Sequence, residues 1–284
     1  MSKASLKQLL ERAASDGYAV GAFNMHTLES MQAIVAAAES QRAPLILQIN
    51  ESSIKYAGAR YLAALARVAA DLTDIPVAIH LDHGRDFNVI VQCIRHGFTS
   101  VMIDASKLPL ADNISEVREI VKIAHAAGVD VEAELGRVGG TEDDISVSEQ
   151  EAGLTDPNEA QEFVAETGVD ALAVAIGTAH GVYRGEPKLN YSLLSELRQR
   201  LEVPLVLHGG SGVPDQSIKK CIELGISKIN ISTELKIPFA AKLRDTLAAA
   251  PNEFDPRKIL GPTRDAVSEV VINKIKLLGC GGQC

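Results

Sequence analysis

Three histidines, His83, His180 and His208, close three short apolar runs of this 284-residue chain, VAIHLDH, ALAVAIGTAH and PLVLHGG. Imidazole suits zinc, and a catalytic zinc commonly takes three protein ligands and leaves one position for a substrate. A single histidine in such a place reads as a hydrogen-bonded polar residue. Three at the ends of three different runs are harder to explain that way. Asp82 precedes His83. Neighbouring side chains on a strand point apart unless the strand is ending, and at a strand end both can face one site. A carboxylate there is placed for general acid–base transfer beside a metal-bound substrate, or it orients a ligand histidine. Glu132 and Glu134 of VEAEL share one facing. A buried charge needs a partner, so Glu134 meets the metal or a cation, or forms a salt bridge inside the fold. His80 lies within its run and reads as a packed core histidine. His26, His96 and His125 fall at a strand exit or on helices and read as solvated or structural.

A second chemistry is anion binding. In HGGSG at 208–212, Gly209, Gly210 and Gly212 let backbone N–H groups approach an anion closely. Ser211, and Ser232 of KINIS at 228–232, add hydroxyl donors. A glycine-rich loop alone is a weak signal; this one gains weight from its place late in the order of runs.

The elements that must position these residues follow one rhythm. Apolar runs start near 19, 43, 77, 100, 129, 171, 204 and 227, and helical patterns fill the gaps, such as Leu28, Met31, Ile34 and Val35. The runs are near-continuously apolar, as strands of a parallel sheet buried on both faces are. Polar residues stand at nearly every end: Asn24, Asn50, Asp82 with His83, Asp104, Glu134, His180, His208 and Asn230. That is how a (β/α)8 barrel assembles a site at its carboxyl face. A doubly wound sheet would place its site at one switch point. The expected fold is thus α/β, a (β/α)8 TIM barrel over residues 1–284 as one domain, with extra C-terminal helices. With apolar residues at 46% and no tryptophan, Ala, Val, Ile and Leu must fill the core.

Two segments break the rhythm. Residues 136–158 form a long polar excursion, of the kind that serves as a lid. The tail reads as a helix from Glu234 to about Ala249, a PNEFDPR turn, and a last helix from Pro262 to Leu278, suited to an interface. The net charge of −9 and the absence of a basic run argue against nucleic acid. The N-terminal stretch reads as an amphipathic helix rather than a signal peptide, and no stretch suits a bilayer, so a cytoplasmic protein with no membrane partner is expected. Cys93, Cys221, Cys280 and Cys284 lack metal-ligand spacing and read as reduced thiols.

Taken together, GYAVGAFN, VAIHLDHG, SVMIDAS, VEAELGRVGGTEDD, DALAVAIGTAHG, PLVLHGGSG, KINISTE and FDPRKILGP resemble the class II, metal-dependent ketose-bisphosphate aldolases, in unbroken order from about Leu6 to Leu278. The resemblance implies reversible cleavage of tagatose or fructose 1,6-bisphosphate to dihydroxyacetone phosphate and glyceraldehyde 3-phosphate through a zinc-stabilised enediolate. It implies His83, His180 and His208 as zinc ligands, with Glu134 as a ligand of an alternative metal position. Asp82 would handle the proton of the C4 hydroxyl, and Glu142 the proton on the dihydroxyacetone-phosphate carbon. Gly181, Gly209, Gly210, Ser211, Asn230, Ile231, Ser232 and Thr233 would cradle the C1 phosphate, with a monovalent cation, Na+ or K+, near Gly181 and Gly209. Asn24 would touch substrate, and Arg257 would cross a dimer interface to the distal phosphate, in a homodimer or homotetramer. Lys228 would support the phosphate site.

The distal end is less defined. Asn50 is followed by Glu51, Ser52 and Ser53, unlike the family's fructose or tagatose patterns, and an inward Glu51 would repel a phosphate. A different distal anion is therefore an alternative: 6-sulfofructose 1-phosphate, giving sulfolactaldehyde. Other classes are a noncatalytic barrel subunit, against which the full set of polar residues argues, and a metal-dependent hydrolase, which the phosphate cradle fits less well.

Overall fold

A computed structural model describes residues 3–142, 145–148, 152–183 and 185–284. Helix α1 (Leu6–Asp16) precedes β1 (Val20–Asn24), α2 (Leu28–Ser40) and β2 (Leu45–Asn50). Helices α3 (Glu51–Ala57) and α4 (Ala59–Asp71) lead to β3 (Val77–Gly84), α5 (Phe87–Arg95), β4 (Ser100–Ile103) and α6 (Leu110–Ala126). Strand β5 (Asp130–Leu135) is followed by β6 (Gly139–Glu142), β7 (Ile145–Val147), α7 (Pro157–Thr167), β8 (Ala171–Val174) and β9 (Ala179–His180). The chain ends with α8 (Tyr191–Arg200), β10 (Leu205–Leu207), α9 (Asp215–Glu223), β11 (Ile226–Ile231), α10 (Thr233–Ala249) and α11 (Pro256–Leu278).

Eight parallel strands close a barrel in the order β1, β11, β10, β8, β5, β4, β3, β2. Closure excludes the open doubly wound sheet, and each barrel strand begins within two residues of its expected start. Every residue of β1 and β3 is buried, as the continuous apolar runs require of strands covered on both faces. The helices begin and end where local chemistry dictates. Ser5 caps α1 through the amide of Gln8 and Gly17 ends it in the left-handed region; Asp156 and Pro157 start α7 and Gly168 ends it likewise.

The barrel interior departs from an all-aliphatic core. Gln48, His80, Ser100, Glu132 and Lys228 are fully buried within it. His80 is the expected core histidine, bonded through Nδ1 to Ser100 Oγ at 2.9 Å. The amino-terminal end is closed by α1: Ser5 Oγ donates to Asp130 at 2.6 Å, Lys7 pairs with Asp170 at 3.4 Å, and Leu6, Leu9 and Leu10 turn inward. His125 is structural, 2.7 Å from Asp170.

Two local expectations need correction. The last helix starts at Pro256 rather than Pro262, because the Asp255 side chain caps it and a proline at its first position needs no N–H partner. The 136–158 excursion carries strands of its own: β6 pairs antiparallel with β7 and parallel with β9. A short helix, α3, follows β2 directly, capped by Asn50 Oδ1 on the amide of Ser53 at 3.0 Å.

Candidate active site

Strand β3 delivers two adjacent residues to one place because its backbone breaks there. His83 has φ 47°, in the left-handed region that non-glycine residues rarely adopt, and the β3–β4 register shifts between Leu81 and Gly84. The break cancels the alternation, so both Asp82 and His83 face the carboxyl end of the barrel. Backbone held in this way by its surroundings is a mark of functional sites.

The three histidines converge. Ring centroids of His83 lie 4.7 Å from those of His208 and 5.1 Å from those of His180, and His83 Nε2 stands 2.9 Å from His208 Nδ1. One ring nitrogen from each lies within 4.8 Å of the others, close enough to share one ion. The opposite nitrogens of two rings are bonded to carboxylates. His83 Nδ1 is 3.2 Å from Asp104 Oδ2, and His208 Nε2 is 2.9 Å from Glu132 Oε1. A carboxylate on one ring nitrogen fixes the tautomer that leaves the other nitrogen's lone pair exposed. His83 therefore presents Nε2 and His208 presents Nδ1.

The electrostatics agree. Burial opposes charge on all three rings, and on His180 and His208 it holds the imidazole well below its usual range, helped by the proximity of His83. On His83 burial is overcome by Asp82 and Asp104, which lift it to about 10. A trio that keeps one positive charge among neutral imidazoles, flanked by carboxylates, fits a divalent cation in the proton's place. Burial pushes Glu134 up to about 8, reinforced by Asp104, so it stands as a neutral acid near neutral pH. His83, Asp104 and Glu134 form a second grouping with metal-ligand spacing.

Asp82 is held by amides. Asn24 Nδ2 donates to Oδ2 at 2.8 Å and Asn230 Nδ2 to Oδ1 at 3.0 Å; Gln48 Nε2 in turn donates to Asn24 Oδ1 at 2.8 Å. Its Oδ1 lies 4.0 Å from His83 Nε2. Burial pushes its carboxyl up, but His83, His208, Lys228 and the Asn24 bond together bring it below the usual range.

Beside the trio lies the loop expected to hold an anion. Gly209 has φ 67°, and a Cβ there would come within 2.5 Å of Ala179 O, so only glycine brings this loop so close. Tyr183 ties the two loops together, donating to Gly209 O at 2.9 Å and accepting from Ala179 N at 2.7 Å. Gly181 has φ 88°, and Gly210 donates to Asn230 O at 3.2 Å. Ser211 Oγ accepts from Ser232 N at 3.2 Å. The hydroxyls of Ser232 and Thr178 are buried with no hydrogen-bond partner among the described residues, as donors awaiting a ligand would be. Ile231 is buried in β11 and can offer only its backbone; Thr233 opens α10, whose N-terminus favours negative charge.

Some expected residues stand elsewhere. Lys228 does not reach the cradle: it sits two residues before Asn230 on the same face of β11, one layer deeper, and pairs with Glu132 at 2.8 Å. Arg257 bonds Asp255 at 2.8 Å with its side chain 90% exposed, outside the histidine cluster. Asn50 uses its carbonyl oxygen on α3. Glu51 is engaged with the chain that leaves β3, accepting from the amides of Arg85 and Asp86. Glu142 ends β6, and its side chain lies outside the described residues. Gln48, Tyr183 and Arg85 join the site without a motif that marks them in the sequence. Only Gln48 left a signal, standing two residues before Asn50 on the same strand face.

A closed parallel barrel whose mouth gathers three histidines beside a glycine-rich loop defines a class of barrel proteins with room for a divalent ion and an anion at the carboxyl face. Residues 4–283 match the family described as fructose-bisphosphate aldolase class-II, and the chain belongs to that family of lyases. It is 46% identical over the whole of both chains to a probable fructose-bisphosphate aldolase of Bacillus subtilis. It is 45% identical, over 98% of each chain, to the D-tagatose-1,6-bisphosphate aldolase subunit GatY of Klebsiella oxytoca. Among solved structures, the YdjI aldolase of Escherichia coli K12 matches with a TM-score of 0.87 at 34% identity, covering 99% of this chain and 98% of that one.

Proposed function

We propose that this chain cleaves a ketose 1,6-bisphosphate, of the fructose or tagatose series, reversibly to dihydroxyacetone phosphate and glyceraldehyde 3-phosphate. The observation that carries the reading is the meeting of His83, His180 and His208 within 4.8 Å, next to an Asp82 fixed by two amides. His83, His180 and His208 would hold zinc, which would supply Lewis-acid chemistry to the substrate's ketone.

The residues then divide the work. Asn24 and Asn230 leave Asp82 one orientation, from which it takes the proton of the C4 hydroxyl as the C3–C4 bond breaks and returns it in the condensation direction. Glu142 moves the proton at the carbon that becomes C3. Gly181, Gly209, Gly210 and Ser211, with Asn230 through Thr233, hold the C1 phosphate, with Na+ or K+ beside Gly181 and Gly209. Asn24 and Asn50 line the substrate's path. A second copy of the chain supplies Arg257 to the distal phosphate, its exposed guanidinium exchanging Asp255 for that anion. The chain works as one aldolase domain in the cytoplasm, as a homodimer or homotetramer.

The test is an initial-rate panel on zinc-loaded protein, with fructose 1,6-bisphosphate, tagatose 1,6-bisphosphate and 6-sulfofructose 1-phosphate, and a chelated control. Chelator-sensitive release of dihydroxyacetone phosphate from a bisphosphate supports the reading. Faster cleavage of the sulfo sugar moves the distal anion to a sulfonate, and no cleavage of any of them refutes the substrate assignment. Full activity in a species that sediments as a monomer removes Arg257 from the site.

A further inference from the structure

A line of bonds runs from the end of β2 to a metal-facing histidine through residues with no assigned part in the chemistry. It begins at Glu51, the first residue of α3. Its Oε1 accepts from the backbone N–H of Arg85 at 2.6 Å and of Asp86 at 2.8 Å, which fixes the chain as it leaves β3. From that anchored position the Arg85 guanidinium reaches back over the mouth. Its Nε and Nη2 donate to Asp104 Oδ2 at 3.1 and 2.9 Å. The other oxygen, Oδ1, accepts from Ser106 Oγ at 2.8 Å and Ser106 N at 3.3 Å. Asp104 Oδ2 then meets His83 Nδ1 at 3.2 Å, and His83 Nε2 faces His208.

Arg85 and His83 thus share one oxygen of a buried carboxylate. The arrangement bears on a choice the site must make, because His83 belongs to two groupings with ligand spacing, one with His180 and His208, the other with Asp104 and Glu134. An ion in the second grouping needs Asp104 as a ligand. A guanidinium is charged at every working pH, and here it already sits on the Asp104 oxygen nearest His83. An arriving cation would have to displace that donor and approach its positive charge. The same contact keeps Asp104 on Nδ1 of His83, so Nε2 is the nitrogen left for the three-histidine grouping.

We infer that Arg85, aimed by Glu51, is a positioning residue that commits His83 and its ion to the three-histidine grouping rather than to the carboxylate grouping. The inference rests on the proposal that the histidines hold a divalent ion, and it concerns only the placement of that ion.

The experiment titrates metal-free protein with Co2+, reading affinity and stoichiometry by equilibrium dialysis and coordination by visible absorption. Wild type takes up one Co2+ per chain. Arg85→Leu binds that ion up to about 10-fold more weakly, the low end of the range found when a ligand's own hydrogen-bond partner is removed, because Asp104 itself stays. Its visible spectrum shifts as carboxylate oxygen replaces imidazole nitrogen. Arg85→Lys, which keeps the charge but loses the two-pronged contact, recovers part of the affinity. Glu51→Gln, whose amide oxygen can still accept both N–H groups, behaves as wild type, whereas Glu51→Ala moves towards Arg85→Leu. Residue 85 lies on a loop with its side chain one-third exposed, so these variants fold, as thermal melts would verify. Wild-type affinity and spectrum in Arg85→Leu overturn the inference while leaving the metal site in place. No binding of Co2+ by wild type overturns both.

Discussion

Asp82 shows how much of this site is made by neighbours. Its charge is sustained against burial by His83, His208, Lys228 and the Asn24 amide, and Asn24 and Asn230 together fix its direction. Asp82→Asn keeps the volume and loses the base. Turnover falls by about 10²- to 10⁴-fold, while metal content measured by elemental analysis stays at the wild-type value. A parallel loss of metal would make Asp82 a support for His83 instead. Glu134 is the opposite case. Burial first, and then Asp104, raise its carboxyl to about 8, so the folded protein binds a proton there that the unfolded chain, with its ordinary carboxylate range near 4.3, releases earlier. The stability this supplies is complete below the unfolded pKa and is lost as pH rises towards 8. Thermal melts of metal-free protein between pH 5 and 8.5 will therefore lose more stability with rising pH in wild type than in Glu134→Gln. Equal slopes would contradict the raised pKa. These environments were invisible in the sequence. VEAEL announced two like-facing acids, but nothing in it said that Glu132 would be charge-paired by Lys228 and Glu134 left as a buried acid.

The barrel elements were legible because their signals are local. Continuous apolar runs, glycines at helix ends and polar residues at strand ends come from burial, backbone freedom and topology, each of which marks its own residues. The less legible elements depend on distant partners. Strand β6 is short and polar, and exists because β7 and β9 bond to it. Helix α3 follows a strand with no connecting loop, so no run of turn residues announces it. The start of α11 was missed although Asp255 and Pro256 are ordinary start signals; Pro262 misled because a proline can also sit inside a helix at a cost. The loop after β10 allows a sharp test. Gly209→Ala places a methyl against Ala179 O at a positive φ, which pushes the loop off the neighbouring strand end. The expected result is a KM for the phosphorylated substrate raised about 10-fold or more, with the melting temperature lowered by several degrees, since alanine forced to a positive φ against a backbone oxygen costs more than about 1 kcal/mol. An unchanged KM would remove this loop from the anion site.

At the scale of the molecule, the barrel closes around a polar centre. Below the three histidines, Lys228, Glu132, His80 and Ser100 form a buried array, so the floor of the site is also the middle of the core. Lys228→Met leaves Glu132 buried without its cation, and breaking a buried pair from one side costs about 3–5 kcal/mol. Chemical denaturation will show that loss, while the double variant with Glu132→Gln recovers part of it; a neutral single variant would mean that the pair contributes little. The paired short strands carry a further consequence. Strand β6 sets Gly140 opposite His180, two residues before Glu142, with the backbones too close to admit a side chain at 140. Strand β6 and the backbone that carries His180 are therefore packed as one unit, and linkage between them is reciprocal. Whatever steadies the backbone at His180 steadies the strand that ends in Glu142, and the reverse holds equally. If His180 holds the ion and Glu142 meets the substrate, as proposed, a chelator will strip the ion faster from the free protein than from the substrate-bound one, and equal rates would uncouple the two.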